Sequence, residues 1–264
     1  MTLENVARPP IAAYFSRLAQ SYGEGEYFGK RRAAAISAIA AEVERAGTIL
    51  DLGCGNGAYL RDLVRSGARA RLAGADLSID MLSEARRRVG ARVRFVQADA
   101  SALPFRAASW DLVLCSHVLQ FVADLDRSVA GIARCLRPGG ALATTLEDSA
   151  IRQALGAILM AEQWEEFRRA VFPAIRVRPD RSGDDAYRAA FENAGLVTET
   201  RAVPFPVTWP DIEEWVRVRW MPVATESGRA DMEGIIARLG GDERIRSQTM
   251  EHRERLLVGR KPAA

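Results

Sequence analysis

Thiol and imidazole side chains are scarce in this sequence: 264 residues hold three cysteines and two histidines. Cys54, Cys115 and Cys135 form no CxxC pair, which excludes a disulfide framework and fits a reducing compartment. With only His117 and His252 beside those thiols, no metal site is expected. Lysine is almost missing too; Lys30 and Lys261 are the only ones. The net charge of +3 therefore comes from arginines scattered among Asp and Glu. No clustered basic face with interleaved aromatics results, so no nucleic-acid partner is expected. Long apolar runs are missing as well. The longest, over residues 33–43, is interrupted by Ser37 and Glu42 and is too short to span a bilayer. Residues 1–10 lack the basic and apolar regions of a signal peptide. A cytoplasmic protein without membrane insertion is the expectation.

What is present is an alternation of short apolar runs and helical patterns. Strands are expected over 48–52, 71–76, 93–97, 110–116 and 141–146. Helices are expected over 57–66, after Ser78 as N-cap, and over 125–136, where Arg137-Pro138-Gly139-Gly140 turns the chain. This order predicts an α/β fold with a doubly wound, mainly parallel sheet. Ligands then bind beyond the carboxyl ends of the strands, where the winding reverses. In the second half, helix is expected over 150–171, loop over 176–185 and helix over 185–194, which Gly195 ends. A sixth strand is expected over 196–203, before Pro204, Pro206 and Pro210 break the pattern. Helices to about 252 and a last strand over 256–260 complete the reading. His252 is expected on a charged helix at the surface.

The decisive run is Asp51-Leu52-Gly53-Cys54-Gly55-Asn56-Gly57. Glycines between strand and helix let backbone approach a ligand closely, and the helix start offers unpaired N–H groups. Gly53-x-Gly55-x-x-Ala58 also satisfies the dinucleotide fingerprint, so an NAD-dependent oxidoreductase is one alternative. Asp51 argues against it, because a carboxylate beside a pyrophosphate is repulsive but beside an ammonium or sulfonium is attractive. Asp76 ends the second strand, about 20 residues past the loop, at the spacing of a ribose-binding acid. Asp99, with the backbone of Ala100 beside it, can read an adenine edge. Leu77 and Met81 can cover the ring faces. Cys54 reads as a small loop residue.

Together these motifs resemble the class I S-adenosylmethionine-dependent methyltransferases. Within that family the likeness is to the small-molecule branch of ubiquinone and menaquinone C-methyltransferases and natural-product enzymes. It runs in register through the Asp51 loop, Asp76-Leu77-Ser78, Gln97-Ala98-Asp99-Ala100, the Leu103-Pro104-Phe105 turn, Asp111-Leu112-Val113-Leu114 and Arg137-Pro138-Gly139-Gly140. The resemblance implies a seven-stranded, Rossmann-like sheet with an antiparallel last strand. It implies S-adenosylmethionine as cofactor, S-adenosylhomocysteine as product and a small-molecule acceptor. Carbon, nitrogen and oxygen remain open as the methylated atom. A non-catalytic protein that binds the same cofactor is the second alternative.

The whole chain then reads as one domain. A helical lid covers 1–46, the core takes 47–148, 183–204 and 253–262, and helical cap insertions take 149–182 and 205–252. Tyr22 is the lid residue expected on the cofactor. Ser116 and Gln120 are expected near its methionine part. His117 follows the fourth strand and is the candidate general base, since a neutral imidazole accepts a proton near neutral pH. Trp164, Trp209, Trp215 and Trp220 either line an aromatic acceptor pocket or pack a core. Arg176, Arg178 and Arg181 either hold an acidic substrate group or lie on a solvated loop.

Overall fold

The computed structural model describes residues 11–145, 159–171, 184–219 and 221–263. Three short helices come first: α1 (Ile11–Leu18), α2 (Glu26–Ala38) and α3 (Ala40–Arg45). An alternating run follows, with β1 (Thr48–Leu52), α4 (Ala58–Arg65), β2 (Arg71–Asp76), α5 (Ile79–Val89) and β3 (Val93–Gln97). Then come β4 (Trp110–Leu114), α6 (Leu125–Cys135) and β5 (Leu136–Thr145). The second half holds α7 (Ala161–Val171), α8 (Asp184–Asn193), β6 (Val197–Thr208), α9 (Trp209–Arg219), α10 (Glu226–Gly240), α11 (Glu243–Arg246) and β7 (Thr249–Arg260).

The seven strands form one sheet in the order β3-β2-β1-β4-β5-β7-β6. The first five are parallel, and β7 runs antiparallel to both β5 and β6. The expected doubly wound sheet and its reversed last strand are both present. β1 is buried at every position because helices cover both faces, which suits its apolar sequence. On one face Leu60 and Leu63 of α4 and Leu82 of α5 are fully buried against Ile49, Leu72 and Leu112. Each such side chain contributes about 1.5–3 kcal/mol of burial. On the other face Val129 and Ile132 of α6 and Phe191 of α8 pack on Leu50, Val113 and Leu142.

Several boundaries differ from the sequence expectation. β4 ends at Leu114, so residues 115 and 116 leave the strand. β5 begins at Leu136 rather than at 141. Arg137-Pro138-Gly139-Gly140 interrupts the register inside it, between the pairs Trp110↔Leu136 and Leu112↔Ala141. Arg137 Nη1 there donates to Asp111 and to Thr48 Oγ1 at 2.9–3.0 Å, locking the amino ends of β1 and β4. β6 does not stop at 203: it runs to Thr208 through Pro204 and Pro206. It is an edge strand, where prolines two residues apart can turn their N–H-less nitrogens to the same unpaired side. β7 answers it residue for residue from Thr249, not from 256, so the segment between the two strands is 209–248 rather than the 205–252 expected from sequence.

His252 is accordingly misread from sequence. It lies on β7, fully buried, with the Phe205 ring centroid 4.6 Å away. Its charged neighbours Glu251 and Arg253 point to the other face, as strand alternation requires. Around it lies a separate apolar cluster of Tyr27, Phe167, Phe205, Trp209, Ile212 and Ile236, joining α2, α7, α9 and α10 to the extended β6–β7 pair.

Candidate functional site

The glycine loop is fastened to the end of β2, where the N–H groups of Gly53 and Cys54 donate to Ala75 O at 2.7 and 3.0 Å. Gly53 has φ +72, and a Cβ there would stand 2.1 Å from Val118 Cγ2. Only glycine satisfies both constraints. Asp76 closes β2 and ties three segments: Oδ2 accepts from Gly55 N and Oδ1 from Ser78 N, both at 2.8 Å. Burial raises its pKa, against the pull of those backbone bonds. Ser78 caps α5 as expected, accepting from Met81 N. Asp99 lies past β3, where Oδ1 accepts from Ser101 N and Oγ at 2.8 Å.

Asp51 sits differently. It is almost fully buried in β1, and its Oδ2 takes no hydrogen bond among the described residues. Burial first, and then the negative charge of Asp76, push its pKa up to about 8. A carboxylate without a partner in the interior is costly and awaits a donor or a cation. Cys54 is buried with its Sγ toward Gly55 O at 3.6 Å, and burial pushes its pKa well up, so it is an inert thiol.

A cavity of about 290 Å³ opens over the carboxyl ends of β1–β4, at the point where the winding reverses. Of the residues expected from sequence, Tyr22, Gly53, Gly55, Asp76, Leu77, Met81, Asp99, Ala100, Ser116 and His117 line it. Asp51, Cys54 and Gln120 do not; they are buried behind the wall. Sequence reasoning missed Ile11, Ala12 and Phe15 of α1, and Ser78, Ser101, Val118 and Phe121. The two serines follow the acids closely enough to have been found. The Phe15–Phe121 contact, edge-on at 5.5 Å, joins remote parts of the chain and left no local signal. The segment after α1 is tied down by Asn56 of the glycine loop, whose Nδ2 donates to Ala19 O at 3.2 Å and Tyr22 O at 2.5 Å.

At the other end of the cavity, His117 adopts a left-handed backbone with φ +56, unusual for a side chain bearing a Cβ. Its N–H donates to Thr145 Oγ1 at 3.1 Å, and Ser116 Oγ meets the same hydroxyl at 2.7 Å. Its ring Nε2 lies 2.7 Å from Oε1 of Glu254 on β7. Arg31 of α2 completes the group: Nε donates to Glu254 Oε1 at 2.9 Å, while Nη2 contacts both Glu254 and His117 Nε2. Glu254 is buried, yet Arg31 and His117 together hold its pKa down to about 2. Glu254 and Arg31 were not foreseen, because nothing near either in sequence marks them.

The tryptophans fall on the packing side of the two readings. Trp209 is fully buried in the cap cluster, and Trp164 and Trp215 pack against it; none lines the cavity. Trp220, Arg176, Arg178 and Arg181 lie outside the described residues. No helix among the described residues is long and apolar enough to cross a membrane. No cluster of metal-ligating side chains occurs among them either.

Fold and cavity define a doubly wound α/β protein with an acid-lined cradle at its switch point. Residues 50–144 match the family model of the methyltransferase domain. The chain is 38% identical over 157 residues to a malonyl-[acyl-carrier protein] O-methyltransferase of Enterobacter lignolyticus, covering 58% of this chain and 61% of that protein. It is 34% identical over 135 residues to a demethylmenaquinone methyltransferase of Deinococcus radiodurans, covering 50% and 55%. The matches thus span little more than half of those relatives' lengths. The fold is shared with a phosphoethanolamine N-methyltransferase of Haemonchus contortus, solved with S-adenosylhomocysteine, at TM-score 0.53 and 21% identity, covering 86% of this chain and 52% of that one. Residues 50–144 are thus similar to the methyltransferase domain, and the relatives that this part of the chain resembles are named methyltransferases.

Proposed function

We propose that this protein transfers the methyl group of S-adenosylmethionine to a small-molecule acceptor. The observation that carries the reading is the buried, unpartnered Oδ2 of Asp51, directly behind the cavity wall at Leu52 and Gly53. The cationic amino-acid end of the cofactor supplies what that oxygen lacks, whereas a pyrophosphate would be repelled. The rest of the donor set fits the same group. Asp76 keeps acceptor capacity for the ribose hydroxyls, and Asp99 with the Ala100 backbone suits the adenine edge. Leu77 and Met81 flank the base. Ser116 and Tyr22, which line the cavity, serve the methionine part, and the buried Gln120 does not reach it.

When bound, the cofactor supplies a methyl group already activated as a sulfonium. The chain's own residues then bind, align and exclude water; positioning of this kind is worth roughly 7–11 kcal/mol at best. The described part of the lid, from Ile11 on, closes the cavity through Phe15 and Tyr22, and the cap insertions shape the acceptor side. Arg219 of α9 joins the two segments, since its guanidinium lies 5.3–5.6 Å from the rings of Tyr14, Phe15 and Tyr22. We read the acceptor as a small molecule and not a nucleic acid, and the protein as cytoplasmic, from its scattered charge and reduced cysteines.

Calorimetric titration tests the proposal. S-adenosylhomocysteine should bind in the micromolar range and NADH should not. Binding of NADH alone would return the protein to the oxidoreductase reading.

A further inference from the structure

Arg219 ends α9 beside the rings of α1 and does not line the cofactor cradle. We propose that Arg219 is a positioning residue: its guanidinium holds Phe15 and Tyr22 against the cavity, so that α9, which lends no described residue to the cavity wall, sets how fast the cofactor leaves. The inference rests on the methyltransferase reading and adds how the site retains its ligand.

Three observations converge. First, the guanidinium carbon of Arg219 stands 5.6, 5.5 and 5.3 Å from the ring centroids of Tyr14, Phe15 and Tyr22. A cation within about 6 Å of a ring centre is attracted by the ring quadrupole, and here one guanidinium serves all three. The rings also meet one another edge-on, Tyr14 and Phe15 at 5.1 Å and Phe15 and Tyr22 at 5.4 Å, so a shift of one is felt by the others. Second, Phe15 and Tyr22 line the cavity, whereas Tyr14, Arg219 and the rest of α9 do not. The cation therefore grips the wall from outside it. Third, α9 holds the same stretch of chain at two further points. Glu214 accepts from Glu26 N at 2.7 Å and from Tyr27 N at 3.1 Å, at the start of α2, and Asp211 accepts from Lys30 Nζ at 3.0 Å. Gly25 takes φ +102 at that point, and a Cβ on it would overlap the Glu214 carboxylate.

Helix α1 has eight residues, too few to stay helical alone in water, so its neighbours fix it. It docks on the cradle through Leu18, which packs in one cluster with Met81, and through Ser16 Oγ, 2.9 Å from Ser78 Oγ. It meets α9 at Arg219, whose carbonyl oxygen also accepts from Tyr14 Oη at 3.4 Å. Any movement of Phe15 and Tyr22 off the cavity breaks the cation–ring contacts. Removing the cation therefore lowers the barrier to release and leaves the cradle that meets the incoming ligand unchanged. The signature is a faster dissociation at a nearly constant association rate.

Binding kinetics of S-adenosylhomocysteine on the full-length protein test the proposal. In Arg219→Met, which keeps an unbranched stem and removes the cation, dissociation should speed up about five- to tenfold, with the association rate within about twofold. Arg219→Lys keeps a cation and should recover part of the loss. An arginine that only stabilised the fold would change the fraction of protein able to bind, not the rate at which bound ligand leaves. An unchanged dissociation rate in a folded Arg219→Met, or no recovery in Arg219→Lys, overturns the positioning role. Hydrogen exchange on the unaltered chain reads the same coupling even where a variant fails to fold. S-adenosylhomocysteine should slow exchange over both 11–18 and 209–219; slowing confined to 11–18 overturns the part given to α9. If the wild type does not bind S-adenosylhomocysteine, the proposed function falls; if it binds and α9 does not respond, only this inference falls.

Discussion

The two ends of the cavity are built in opposite ways. At the end over the glycine loop, Asp76 closes β2 and Asp99 lies just past β3, both lining the cavity, while Asp51 is buried in β1 beside them. At the other end, His117, Arg31 and Glu254 come from the loop after β4, from α2 and from the last strand, up to 223 positions apart. The first end follows from local chain geometry repeated three times. The second exists only because β7 inserts antiparallel between β5 and β6 and brings Glu254 beside the loop after β4. Affinity for the cofactor and rate of transfer should therefore respond to different mutations.

The sharpest way to break that division is His117→Ala. It should lower kcat by about 10²–10⁴-fold, the usual worth of a general base, while S-adenosylhomocysteine affinity stays within about twofold. A comparable loss of affinity would merge the two ends into one. Next is Gly53→Ala, which forces a Cβ into Val118 at a left-handed φ. Cofactor affinity should fall by about 100-fold or more, visible by calorimetry beside an otherwise folded circular dichroism spectrum, for a clash of a few kcal/mol. Asp76→Ala should weaken binding about 10–100-fold, from the loss of charge-assisted hydrogen bonds of about 1.5–3 kcal/mol. Unchanged affinity would remove Asp76 from the ribose role.

A smaller, pH-dependent effect sharpens the comparison further. Asp51 titrates at about 8 in the ligand-free protein, so most of it is protonated at neutral pH. A cationic ligand group favours the ionised form, so binding should release a proton. Affinity should rise with pH up to about 8, by at most tenfold per unit, and then level off. Asp51→Asn should flatten that slope. The same sign governs stability. Because the folded-state pKa lies above the ordinary 3.8, the folded protein holds the extra proton between those values. Its ligand-free stability should decline as pH climbs through that window, and urea titrations at pH 5 and 8 would measure it. Smallest is Tyr22→Phe, which keeps the ring packing against Phe15 and Phe28 and should change cofactor affinity by no more than a few fold.

Legibility in the sequence follows the same line as the two ends. The glycine loop, the strand-end acids and the Ser78 cap could be placed to the residue because each follows from spacing within a stretch of about 20 positions. The prolines at 204 and 206 misled the strand boundary, since edge position, which licenses them, is a property of the finished sheet. His252 was misplaced for the same reason: flanking charges look like a surface helix until alternation on a strand sends them to the opposite face.

By itself, the order of residues determined the parallel half of the sheet, the switch-point cradle and the kind of ligand that cradle suits, because backbone periodicity and turn chemistry act over short stretches. Tertiary structure alone decided which residues stand behind the wall and which line it, how far β6 and β7 extend, and that a buried glutamate meets His117. Those outcomes depend on which surfaces are left uncovered once the other strands have docked, and no stretch of chain carries that information on its own.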